Sequence, residues 1–78
     1  MEYEIIGILV RNPGIGAKRL QEILTLYGCV IRNRLGINRN EVKGGIIILD
    51  LAGDKKQIEL FLKELNDVEG IEYKHINL

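Results

Sequence analysis

The sequence predicts an α+β fold: a β-α-β-β-α-β sandwich in which a four-stranded antiparallel sheet carries two helices on one face. Three observations carry this expectation. Short runs rich in isoleucine and leucine alternate with period two, and two segments repeat apolar residues at helical spacing. Between these segments stand breaks built on glycine or proline.

The run from Tyr3 to Arg11, YEIIGILVR, is short, isoleucine-rich and stopped by Asn12-Pro13-Gly14, and it reads as the first strand. Asn12 suits a helix N-cap. Pro13 then falls on the first helical position, where its missing N–H costs nothing. Leu20, Ile23, Leu24 and Tyr27 follow at i, i+3, i+4, i+7, while Lys18, Arg19, Gln21, Glu22 and Thr25 occupy the opposite side. Gly28 is placed to end this helix in a left-handed turn.

Cys29 to Leu35 reads as a second strand, and Gly36 to Gly45 as a polar connection. Gly45 leads into IIILDLA, the strongest strand signal, so the two strands form an antiparallel hairpin. Asp54, with Gln57 three residues on, resembles a capping box for a second helix, whose stripe is Ile58, Phe61, Leu62 and Leu65. Gly70 breaks the chain before a last alternating strand, IEYKHINL. This order is the ferredoxin-like split unit. It places the first and third strands at the centre of the sheet and the second and fourth at its edges.

A chain of 78 residues is one domain, 1–78, and a domain of this size is marginal alone. Small scaffolds usually gain stability from disulfides, a metal or a partner subunit. Cys29 is the sole cysteine, which excludes an internal disulfide and suggests a reducing compartment. Without a signal-like segment or an apolar run near 20 residues, a cytoplasmic location and no membrane contact are expected. Eleven basic residues balance eleven acidic ones, which argues against nucleic acid as the main partner.

Both faces of the central strands are apolar. Ile6, Ile8 and Val10 point one way and Ile5 and Leu9 the other; Ile47, Leu49 and Leu51 oppose Ile46 and Ile48 in the same manner. Two helices cover only one face, so the other is expected to pair with copies of the same chain, as a dimer or tetramer. The alternative is a partly exposed face flanked by long charged side chains.

Catalytic constellations are missing from the sequence. There is no serine, and Thr25 is the single threonine, so no nucleophile triad assembles. Cys29 and His75 are the only soft metal ligands, too few for a site unless subunits share one; no metal and no cofactor are expected. Cys29 is read as a small buried thiol at a strand start. Gly14-Ile15-Gly16 lacks the third glycine of a dinucleotide fingerprint, because position 19 is Arg19, and lacks the Walker Gly-Lys-Ser/Thr. What remains is a helix N-terminus at Asn12, Gly14, Ile15 and Gly16 beside Arg11, suited to a carboxylate or other small anion. A plain helix cap is the alternative. Arg32, Arg34 and Arg39 read as outward charges on an edge strand.

The segment IIGILVRNPGIGAKRLQEILTLYGCVI resembles the opening of ACT domains, small regulatory modules that bind amino acids or similar ligands. Their Asp-x-Pro-Gly-like turn takes the form Arg11-Asn12-Pro13-Gly14 here, with Arg11 in the usual acidic position. Nearly the whole chain is similar to short ACT-like bacterial proteins described as iron-only hydrogenase system regulators, sharing Arg34-Leu35-Gly36-Ile37 and Gly70-Ile71. The histidine-rich site of the nickel-responsive repressors, which use a similar fold, has no counterpart. The resemblance implies a stand-alone, non-enzymatic regulatory module that self-associates and binds a small anionic or amino-acid-like ligand or a partner protein. A structural adaptor without ligand, or a metal protein with a site shared between subunits, are the other readings.

Overall fold

The computed structural model describes residues 3–78. The elements are β1 (Glu4–Val10), α1 (Pro13–Leu26), β2 (Ile31–Arg39), β3 (Val42–Leu51), α2 (Lys55–Asn66) and β4 (Ile71–Asn77). The strands form one antiparallel sheet in the order β2-β3-β1-β4, so β1 and β3 are central. The ferredoxin-like architecture expected from the alternation of periods is the one observed.

Alternation decides the two faces. Ile6, Ile8, Val10, Ile47, Leu49 and Leu51 are buried under the helices. Leu20, Ile23 and Leu24 of α1 and Ile58, Phe61 and Leu65 of α2 close the same core. The Tyr27 and Phe61 rings join the helices at a centroid separation of 5.3 Å. Each fully buried side chain of this size contributes roughly 1.5–3 kcal/mol of transfer free energy, against which the ordering of the chain must be set.

Four local expectations need correction. The connection read as Gly36–Gly45 is a tight hairpin: β2 runs on to Arg39, which pairs with Val42 across Asn40 and Glu41. The extra length is taken up by irregular pairing near Lys43, Gly44 and Gly45. Gly45 has φ of +79°, and a Cβ at Gly44 would overlap Val10. Gly28 does not adopt a left-handed conformation. Instead the chain leaves α1 through successive turns, Gly28 N–H to Thr25 O and Val30 N–H to Tyr27 O. Those turns hold Cys29, which is exposed rather than buried at a strand start. Asn12 is the N-cap residue, but its side chain makes no capping bond. Asp54 does cap α2, accepting from Lys56 N–H at 2.8 Å, one residue short of the capping-box position.

The start of α1 is held by the turn before β4. The Gly70 carbonyl accepts from both Arg11 N–H (2.9 Å) and Asn12 N–H (3.0 Å). Gly70 has φ of +83°, and a Cβ there would lie 2.8 Å from the Asn12 oxygen. Gly16 is buried, and a Cβ on it would overlap the Glu69 carbonyl oxygen. Backbone meets backbone here, so neither side can yield by a rotamer change. Gly16→Ala should therefore lower stability by about 1–3 kcal/mol or more. Gly14→Ala, whose nearest neighbour is the Asn12 side chain at 3.4 Å, should be far milder. Urea denaturation of both variants measures the difference, and equal loss would contradict this account of Gly16.

Candidate functional site

Two regions stand out: the junction of β1 with α1, and the sheet face without helices. At the junction, Pro13 has no N–H to offer. The Asn12 carbonyl accepts from Ile15 N–H and Gly16 N–H, both at 3.1 Å. The Gly14 N–H alone in this turn has no acceptor among the described residues. Gly14 and Ile15 are exposed, whereas Gly16 faces the Glu69–Gly70 turn. Of the five residues singled out in the sequence, the structure brings Arg11 and Asn12 to an open depression of about 390 Å³. Gly14 and Ile15 follow on the exposed start of α1, and Gly16 is turned inward.

The opposite wall of the depression is Glu41, Val42 and Lys43, from the tip of the β2–β3 hairpin. The sequence does not show these residues as neighbours of Arg11, because Gly36 to Gly45 reads there as a polar connection and not as paired strand. The Arg11 guanidinium grips the Glu72 carboxylate, Nε to Oε1 at 2.6 Å and Nη2 to Oε2 at 3.3 Å. Both side chains are exposed, so the pair adds little to stability. It still moves both titrations. The hydrogen bond from Arg11, ahead of its charge, lowers the Glu72 pKa, and the same bond raises that of Arg11.

The other candidates do not converge. Arg34 donates to the Gln21 side chain at 3.0 Å, and Arg39 pairs with Glu41. Arg32 sits where the β2–β3 register slips between Ile31 and Asn33. Cys29 precedes β2 and His75 lies in β4, at opposite edges of the sheet. His75 Nε2 is 3.0 Å from Glu4 Oε1. Among the described residues, no group of three His, Cys, Asp or Glu side chains is placed to hold a metal ion.

The open face is ordered in three rows across β2, β3, β1 and β4: Ile37, Ile46, Leu9, Glu72; Leu35, Ile48, Gly7, Lys74; and Asn33, Asp50, Ile5, Ile76. Ile5, Leu9, Ile37, Ile46 and Ile48 are half-buried, and Leu35 and Ile76 are 59% and 49% exposed. Most polar residues on this face are bonded within the chain; Lys74, at the β4 end of the middle row, makes no ion pair among the described residues. The Asn33 amide donates to Asp50 at 3.0 Å, and Glu72 is held by Arg11.

Because the Glu72 pKa is depressed in the folded protein, the linked stabilisation is present above the ordinary carboxylate range and is lost as pH falls through the folded value. An NMR titration should find Glu72 ionising below the ordinary range, and Arg11→Ala should return it there. An unchanged Glu72 midpoint in that variant would exclude the pair in solution.

A family model described as "TM1266-like: Iron-only hydrogenase system regulator, putative" matches residues 2–75. No curated protein matches the chain significantly. Among solved structures, the uncharacterized protein TM1266 from Thermotoga maritima superposes with a TM-score of 0.82 at 22% identity, covering 99% of this chain and 95% of that one. A "putative PII-like signaling protein" from Thermus thermophilus gives 0.57 at 14% identity, with 100% and 87% covered. Acylphosphatase from Bacillus subtilis gives 0.52 at 16% identity, with 97% and 86% covered. At these identities the likenesses speak for the fold, which is shared by proteins of different function. The family model spans nearly the whole chain: the chain belongs to the TM1266-like family.

Proposed function

We propose that the chain is a non-enzymatic regulatory module that works as a self-associated species, assembled through the open face of its sheet. The observation that carries this reading is the apolar field of Ile5, Leu9, Ile37, Ile46 and Ile48, extended by Leu35 and Ile76. A contiguous patch of seven large aliphatic side chains is uncommon on a monomer and normal at an interface. The family description as a regulator supports the same reading.

A small anionic or amino-acid-like effector belongs, in this proposal, to the depression beside Arg11, Asn12 and Gly14. Arg11 and Lys43 line it with positive charge, the Glu41 carboxylate is held by Arg39, and next to the depression the Gly14 N–H is a donor with no acceptor among the described residues. Ile15 and Gly16 position this turn through their bonds to the Asn12 carbonyl.

Equilibrium sedimentation at micromolar concentration should show a dimer or larger species. Ile48→Lys places an ammonium in the middle of the open face, away from the helices. The variant should sediment as a monomer with its helical circular dichroism intact. A wild-type chain that remains monomeric throughout would sink the reading. For the effector, a thermal-shift screen of amino acids, nucleotides and small anions is decisive. An effector present at about 100 times its Kd adds ~2.7 kcal/mol to stability. Arg11→Ala should abolish that gain, and an undiminished shift in this variant would move the site elsewhere.

A further inference from the structure

Gly7 is unexplained by the single chain. It lies in the middle of the central strand β1, where glycine weakens a strand by conformational entropy and by the packing it forgoes. The other two glycines of the central strands have clear causes. Gly44 is pressed against Val10, and Gly45 has a positive φ. Gly7 has neither. A Cβ built on it would meet only the Ile48 side chain, at an ordinary contact distance of 3.7 Å. Alanine would therefore fit, yet the position is bare.

Its location gives the bareness a meaning. Gly7 and Ile48 are register partners in the middle row of the open face, with Ile5 and Leu9 on either side of Gly7 along the strand. The face thus has a shallow socket next to its most central protruding side chain. Resting on the self-association proposed above, we infer that two copies pack sheet to sheet about a two-fold axis running between β1 and β3. Ile48 of each copy then seats over Gly7 of the other. An isologous interface demands this reciprocity, since if one residue contacts a second across the axis, the second contacts the first. A socket and a knob side by side on one surface satisfy it in a single arrangement.

Size and polarity agree with a second copy as the occupant. Four strands spaced about 4.8 Å apart, with seven residues rising about 3.4 Å each, give a projected face of roughly 450 Å² per copy. A sheet-to-sheet pair thus buries on the order of 1,000 Å², at the lower limit for a specific interface, which suits a reversible dimer. Asn33 is already bonded to Asp50 and Arg11 to Glu72 within one chain, so covering them leaves those groups paired, while Lys74, on edge strand β4, has a stem long enough to carry its ammonium past the rim to water.

The test uses two variants separately and mixed. Gly7→Val fills the socket, and Ile48→Ala removes the knob. Each alone should dimerise about tenfold or more weakly than wild type. The Gly7→Val monomer should be no less stable in urea, because a β-branched residue suits a strand. Mixed in equal amounts, the two variants should form a heterodimer in preference to either homodimer, as seen by native mass spectrometry. In the heterodimer the filled socket faces the missing knob, and the second contact is wild type. If Gly7→Val fails to fold, Gly7→Ala replaces it, since the space at Gly7 accepts a methyl group. A wild-type dimer whose Gly7 variants associate equally well, with no heterodimer preference, overturns the socket while leaving self-association standing. A wild-type monomer overturns both.

Discussion

Two helices can cover one side of a four-stranded sheet, and everything particular to this molecule depends on how it meets that limit. The covered side is filled by Ile6, Ile8, Leu49 and Phe61, each fully buried. The uncovered side is built from the same kinds of residue in the same two strands. In most half-exposed antiparallel sheets the outward positions turn polar. Here the corners and Lys74 on the edge strand do, and the two central strands stay aliphatic apart from Asp50 and Gly7. The sheet therefore behaves as if both its faces were interior, although the chain supplies layers for one of them.

The second organising contact is the meeting of the two chain crossings at Gly70. The Glu69–Gly70 turn rests against the first turn of α1, and Gly70 accepts the backbone donors of Arg11 and Asn12. This ties the junction of β1 and α1 to the junction of α2 and β4 without any side chain. It also commits a flank of the helix start to internal packing. What remains open is the side toward the hairpin tip, where Glu41, Val42 and Lys43 stand.

The legible part of the sequence was the part governed by short-range periodicity. Period two in Glu4–Val10 and Val42–Leu51, and the apolar stripes of α1 and α2, gave the order of elements, the central strands and both faces of the sheet. Edge strand β2 was harder. Its residues Arg32 to Arg39 are mostly polar with a glycine inside, because an edge strand needs backbone pairing on one side and little burial. Gly36 therefore looks like the start of a connection, although the strand pairs on to Arg39. At the candidate site, Arg11 and Asn12 were visible from the turn chemistry alone. The inward position of Gly16 was not, since the atom that occupies its space belongs to Glu69, far along the chain. A glycine leaves the same mark in a sequence whether a ligand or the protein itself approaches it.

Arg11 stands on the border of both regions. It lines the depression at the start of α1, and its guanidinium holds Glu72 at the corner of the open face. Under the function proposed above, an anion in the depression would compete with Glu72 for that guanidinium, and occupancy of one region would alter the charge presented by the other. The exchange has a thermodynamic corollary. Whatever factor assembly imposed on the affinity for such an effector, the effector would impose on assembly in the same direction. On that proposal a single surface ion pair, of little consequence for folding, would link the concentration of the protein to that of its effector in one equilibrium.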